Sequence, residues 1–262
     1  MLPILLDLVI VKIYTVGIFL MLAFFWSMFW FWRNVKRTSF KEESMFDAVF
    51  ISLAGGLFWA RVIHVLLNYQ EFGPNILKFI LINGYPGLSI IGGLVGGFVT
   101  LLLVTIYTKD SFMEVVAYAI PSLFLALGIG KLGSLFGGNT IGAQTSFPLA
   151  VQYVGYEGPR HVVALYESIL MFVGFFVSQK LMLTYRRDTI DVGSLFSFFV
   201  MFTSLSFMAL DFLKDDVIYL LSFRFNVLVP GILFISFGLI EGIKYKEILV
   251  KKLQIITKRK SS

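Results

Sequence analysis

Seven apolar runs, each about twenty residues long, govern what this chain can become. They extend approximately from Val9 to Trp32, Phe46 to Tyr69, Leu88 to Tyr107, Val115 to Phe136, Val162 to Leu183, Val192 to Leu213 and Phe225 to Ile243. A bilayer core takes roughly 20 helical residues to cross, and lipid offers the backbone no hydrogen-bond partners, so each run must satisfy its own N–H and C=O groups as a helix. The expected fold is therefore all-α, a polytopic membrane protein with about seven transmembrane helices in a single domain over residues 1–262. Only 15% of the residues are charged and 58% are hydrophobic, which excludes a soluble domain, where about a quarter are charged. The first run reads as an anchor, because no small-residue cleavage site follows it.

Orientation follows from the basic residues, which cytoplasmic loops concentrate. Arg33, Lys36, Arg37 and Lys41 follow the first span, Lys109 the third, and Lys180, Arg186 and Arg187 surround the end of the fifth; seven more lie between Lys244 and Lys260. Against these fifteen, the opposite side holds five: Lys12, Lys78, Arg160, Lys214 and Arg224. The expected N-terminus is outside and the C-terminus cytoplasmic. The exterior segments are then 71–87 and 138–161, and residues 244–262 form a basic cytoplasmic tail, either lying on the anionic inner leaflet or solvated beyond the last span. The first exterior segment, with ILKFILI between Gly-Pro and Tyr-Pro-Gly, reads as an interfacial helix; the second reads as a cap or a linker.

The net charge of +6 belongs largely to these loops and tail, which argues for membrane lipids as partners and against nucleic acid. Cysteine is absent and histidine is limited to His64 and His161, so no metal site and no cofactor are expected.

Chemistry is sought where polar residues interrupt the apolar runs, since an ionisable group at membrane depth is expensive. Gly128 to Gly142, GIGKLGSLFGGNTIG, places Lys131 and Asn139 among six glycines. It reads either as the floor of a polar chamber or as a tightly packed helix with Lys131 snorkelling outward. In the second span, Arg61, His64 and Asn68 fall on one helical face. A guanidinium there suits bidentate phosphate binding; alternatively Arg61 pairs with Glu167 or Asp211, or snorkels. The pairs Gly92-Gly93 and Gly96-Gly97 serve helix packing or close approach of a ligand. Arg160 and His161 open the fifth span with Glu167 deeper, and His161 is either a solvated boundary residue or a proton carrier.

Taken together, these residues resemble the prolipoprotein diacylglyceryl transferases across nearly the whole chain. Tyr14-Thr15-Val16-Gly17 is similar to the family's first-span tyrosine-glycine signature, and Gly55 to Arg61 to its second-span glycine-arginine motif. Ile91-Gly92-Gly93 corresponds to a histidine-glycine-glycine motif, and Gly130-Lys131-Leu132-Gly133-Ser134-Leu135 with Gly142 to the family's defining glycine-arginine signature. Pro159-Arg160-His161 and Leu165-Tyr166-Glu167 match without change.

The resemblance implies transfer of the diacylglyceryl group of phosphatidylglycerol to the lipobox cysteine thiol of a prolipoprotein signal peptide, in the bacterial plasma membrane. Implied catalytic residues are His64, His161, Lys131 and Glu167; implied phospholipid contacts are Arg61, Lys131, Tyr14, Asn139, Arg160, Gly92 and Gly93. The chain departs from the family at Ile91, where a histidine stands, at Lys131 for arginine, at Ser134, Gly137 and Asn139, and at Met208 where a second arginine is expected, with Asp211 in place of an acid. A non-catalytic relative that binds lipid or signal peptide, and a membrane transporter, are the alternative readings.

Overall fold

The computed structural model describes residues 4–7, 12–38, 40–81, 84–85, 87–215, 217–220 and 222–260. In chain order the elements are β1 (Ile4–Asp7), β2 (Lys12–Tyr14), α1 (Thr15–Val35), α2 (Glu42–Leu67), α3 (Tyr69–Phe72), α4 (Ile76–Ile80), α5 (Ile90–Thr108) and α6 (Phe112–Gly137). They continue with β3 (Val151–Gln152), β4 (Pro159–Arg160), α7 (Val163–Tyr185), α8 (Gly193–Asp211), β5 (Tyr219–Leu220), β6 (Phe223–Arg224) and α9 (Phe225–Lys260). Among the described residues, seven helices are long and apolar enough to cross a membrane: α1, α2, α5, α6, α7, α8 and the Phe225–Lys246 part of α9. The strands form three small antiparallel hairpins at helix ends.

Differences from the expected spans have local causes. The first helix begins at Thr15, after the β1–β2 hairpin pairs Asp7 with Lys12 and Ile4 with Tyr14; residues 8–11, where the expected span starts, lie outside the described residues. The second helix starts at Glu42, before the apolar run, because Glu42 and Glu43 occupy its first turn, where carboxylates are favoured by the exposed N–H groups. α9 continues past Ile243 as helix through the basic segment. Residues 82, 83 and 86 of the expected interfacial segment, and 261–262 of the tail, are outside the described residues.

α6 is the central helix, packed against α1, α7 and α8, while α2 pairs with α5 and α8 with α9. Its buried side chains include Val116, Ile120 and Phe124. Aromatic edges lock the core: Phe124 meets Phe199 at 4.9 Å between ring centroids and Phe202 at 5.7 Å, and Phe98 of α5 reaches Phe196 and Phe199 at 5.1 and 5.6 Å. Such offset and edge-on contacts are the favoured geometry for aromatic rings.

The α2–α5 pair is made by glycines. A Cβ at Gly56 would stand 3.0 Å from the Gly93 carbonyl oxygen and 3.3 Å from Gly97 Cα. Helices approach this closely only where side chains are missing from the contact. Because the obstructing atoms are backbone, they cannot rotate away. Gly56→Leu is therefore expected to lower stability by about 1–3 kcal/mol or more through overpacking, read as a drop in the thermal unfolding midpoint of the detergent-purified protein. An unchanged midpoint would show that the two helices are not in this contact.

Candidate active site

The site begins with a hydroxyl and a glycine. Ser168 Oγ on α7 donates to the Gly128 carbonyl of α6 at 2.8 Å, and Phe172 packs where Gly128 has no side chain. This fixes α7 against α6 so that Lys131 Nζ lies 2.6 Å from Glu167 Oε2. Glu167 is fully buried and Lys131 is 5% exposed. A lone charge could not persist there, since desolvation must be offset by a partner.

A second cation arrives from the segment after α8. Lys214 Nζ lies 2.8 Å from Glu167 Oε1, so the carboxylate is held between two ammonium groups. Backbone pairing sets the position of Lys214: the Ala143 N–H donates to the Leu213 carbonyl at 2.8 Å and the Asp215 N–H to the Ile141 carbonyl at 3.1 Å. Arg160 then donates to Asp215 Oδ2 at 2.6 Å and to the Gly142 carbonyl at 3.1 Å, tying the 213–215 and 141–145 segments to β4. The backbone of His161 occupies the space a side chain at Gly142 would need, which is why only glycine serves there. Asp211 closes the end of α8, accepting from Asn226 Nδ2 at 3.0 Å with Arg224 at 3.9 Å.

These groups border a cavity of about 240 Å³. Its walls are His64 of α2, Leu88 to Ile91 at the start of α5, Lys131, the 139–141 loop, Glu167, Phe207 of α8, Lys214, Ile218 and Asn226. Lys131 Nζ also stands 5.4 Å from the Phe207 ring centroid, a cation–π contact. With two lysines against one glutamate, the charged cluster carries one net positive charge. It is arranged to attract an anion, and its ammonium groups retain N–H donors beyond those directed at Glu167. All contributing helix ends lie on the membrane face where α1 begins, and Lys131, six residues before the end of α6, sits roughly 9 Å inside it.

The residues singled out in the sequence are distributed unevenly around this cavity. His64, Lys131, Asn139 and Glu167 line it. Arg61 does not: it is 3% exposed, and it donates from Nε to the Phe79 carbonyl at 2.9 Å, from Nη1 to Gly87 at 2.9 Å and from Nη2 to Lys78 at 2.7 Å. Its guanidinium thus holds backbone, and neither Glu167 nor Asp211 is its partner. Asn68, on the same face, caps α2 and donates to the His64 carbonyl. Arg160 is a strut behind Lys214. The His161 ring lies between Phe147 and Tyr166, with Nδ1 buried and without a partner among the described residues. Tyr14 is exposed at the start of α1. Gly92 packs on Ile63, and Gly93 on Ala60 and the Gly56 carbonyl, both within the α2–α5 contact.

Sequence reasoning missed Lys214, Asn226 and Phe207. Lys214 is the first charge after the sixth apolar run, and in the sequence it counts only as one of the five basic residues of the exterior side. In α8, Phe207 faces the cavity while Met208 faces Gly231 of α9, so the wall position is one residue from where the motif order puts it. In the 138–161 segment, Tyr153 is buried with a hydroxyl that has no partner among the described residues. Burial pushes its pKa up, keeping the phenol neutral.

The order of these motifs has a counterpart in known proteins. The family model described as prolipoprotein diacylglyceryl transferase matches residues 3–241. The chain belongs to that family. Similar relatives include the phosphatidylglycerol–prolipoprotein diacylglyceryl transferase of Clostridioides difficile (strain 630), 27% identical over 220 residues that cover 84% of each chain. The protein of the same name from Clostridium tetani (strain Massachusetts / E88) is 25% identical over 222 residues, 82% of this chain and 86% of its own. That of Staphylococcus haemolyticus (strain JCSC1435) is 25% identical over 236 residues, 84% of this chain and 81% of its own. Membership of a prolipoprotein diacylglyceryl transferase family and seven apolar helices make this a multi-pass membrane protein.

Proposed function

We propose that this protein transfers the diacylglyceryl group of phosphatidylglycerol to the lipobox cysteine of a prolipoprotein in the bacterial plasma membrane. Its N-terminus is outside and the cavity opens on that outer face. The observation that carries the reading is the buried Lys131–Glu167–Lys214 cluster bordering a membrane-embedded cavity.

In the reaction, the cysteine sulfur attacks the glyceryl carbon bonded to the phosphate oxygen. The C–S bond forms as the C–O bond breaks, and glycerol phosphate leaves with the electron pair. Negative charge gathers on the departing phosphate. Lys131 and Lys214 are the cations that meet it, and because Glu167 already holds them in place, little reorganisation accompanies the charge movement. Asn139 and Asn226 add polar contacts at the cavity wall. The thiol must lose its proton, since the thiolate is the nucleophile. His64 takes this role, being the histidine that lines the cavity, whose wall also carries Ile91 where the family resemblance leads one to expect a histidine. The base has thus moved from α5 to α2.

A second reading, lipid binding without transfer, is favoured by the same Ile91. One experiment separates the two. Protein reconstituted with radiolabelled phosphatidylglycerol and a lipobox peptide is expected to give labelled peptide, and none when the peptide cysteine is serine. Lipid retention with no product above empty vesicles would overturn the transferase reading.

A further inference from the structure

α1 and α7 run in the same direction, and both end on the membrane face opposite the cavity. They meet side chain to side chain beside α6, which packs against each of them. Trp30 and Phe175 stand edge to face, with ring centroids 5.2 Å apart. One helical turn further along each helix come Asn34 and Gln179, on the same faces as that ring pair. Arg186 reaches across from the end of α7, donating from Nη2 to the Asn34 carbonyl at 2.8 Å, with its guanidinium 5.5 Å from the ring centroid of Tyr118 on α6.

Three nitrogens in this corner are unused: Asn34 Nδ2, Gln179 Nε2 and Arg186 Nε are buried and have no partner among the described residues. Asn34 as a whole is only 5% exposed. Each buried polar group left unbonded costs about 1–3 kcal/mol, and buried polar groups as a rule are bonded. Their chemistry fixes what satisfies them. A guanidinium donates and never accepts, and an amide end, which turns about its last bond at little cost, offers two N–H donors. The complement is a group with several acceptor oxygens.

The position of the corner narrows the choice. The end of α1 carries the aromatic rings and cations that settle at the headgroup level: the Arg33 guanidinium is 4.8 Å from the Trp30 ring centroid and Lys36 Nζ is 4.7 Å from that of Trp32. Lys180 and Arg187 add positive charge next to Gln179 and Arg186, against Glu114 in the first turn of α6. Toward the bilayer centre, Trp26 of α1 and Phe176 of α7 are exposed apolar residues of membrane-spanning helices, so an acyl chain has a path between the two helices that ends at the unused donors.

We infer that Asn34, Gln179 and Arg186 form a binding site for the phosphate group of a phospholipid in the leaflet opposite the cavity. The guanidinium and the two amides donate to its phosphate oxygens, and its acyl chains lie against Trp26 and Phe176. Basic clusters between spans bind lipid head groups in this way. The lipid held here is a second one, distinct from the substrate proposed for the cavity, and the inference does not depend on the chemistry proposed there.

Detergent-purified protein is titrated with phosphatidylglycerol, with diacylglycerol bearing the same chains and with inorganic phosphate, and the bound molecules are counted by native mass spectrometry. Wild type is expected to retain one phosphatidylglycerol more than Gln179→Leu and Arg186→Met, and to retain no diacylglycerol that these substitutions remove. Gln179→Leu places an apolar side chain of similar size on a half-buried helix face, so it decides the question even if Arg186→Met, which frees the Asn34 carbonyl, fails to fold. Equal retention in wild type and Gln179→Leu would overturn the site and leave the corner to water. Loss of diacylglycerol in the same variants would show that acyl chains alone are recognised. Release of the retained lipid by inorganic phosphate would show a site for the free anion. Either result would overturn the assignment to a phospholipid.

Discussion

Glu167→Ala is expected to be among the most damaging single substitutions in the chain. The carboxylate is fully buried between Lys131 at 2.6 Å and Lys214 at 2.8 Å, so its removal leaves two ammonium groups facing each other with no counter-charge. Breaking a buried ion pair from one side costs about 3–5 kcal/mol, against a total stability on the order of 5–15 kcal/mol. The expected result is a large fall in the yield of monodisperse protein and in its unfolding midpoint. Lys131→Met combined with Glu167→Gln keeps the cluster at one net positive charge and is expected to recover most of that stability while transfer stays strongly reduced, because one of the two cations that meet the phosphate is gone and the carboxylate that positions the other is neutral. This contrast separates the folding role of the carboxylate from the chemical role of the lysine. Wild-type stability in Glu167→Ala would mean that the cluster is not closed as described; full transfer in the double variant would mean that Lys131 does not meet the leaving phosphate.

His64→Gln is expected to reduce turnover by about 10²–10⁴-fold, the usual contribution of a positioned general base, without a matching loss of folded protein. Ile91 borders the same cavity, and Ile91→His introduced into the His64→Gln background is expected to restore a large part of the lost rate. Transfer of radiolabelled diacylglyceryl to a lipobox peptide measures both. Full activity in His64→Gln would assign the proton to another group, and His161 is separated from the role by its place between Phe147 and Tyr166, outside the cavity wall. Failure of Ile91→His to restore activity would argue that the second helix, not the cavity as a whole, sets the geometry of proton transfer.

The spans were legible because lipid imposes a one-dimensional rule. A run of apolar residues long enough to cross must be a helix, and neighbouring charged loops mark its ends. The rule misplaces ends where side chains that are not apolar still favour helix, as Glu42 and Glu43 do at the start of α2, and where apolar residues choose a hairpin, as before Thr15. Lys131 was also legible as a site residue, since an ammonium within an apolar run demands a partner wherever the chain folds.

Arg61 shows the other side of that inference. A buried guanidinium was foreseeable, but its use was not: it binds three backbone carbonyls of a nearby segment instead of a phosphate. Carbonyl acceptors exist at every residue and leave no mark in the sequence. Lys214 was overlooked for the opposite reason. It looks like an ordinary loop lysine, and only the pairing of 213–215 with 141–143 turns it back toward Glu167.

By itself the amino-acid order determined seven helices, the membrane as solvent, and the depth at which a few polar groups had to be stabilised. Tertiary structure alone decided which of those groups meet, because convergence of α2, α6, α7 and the segment after α8 depends on glycine contacts, aromatic packing and loop pairing between residues far apart in the chain. Hydropathy is a property of each residue, whereas an ion pair is a property of two positions in space.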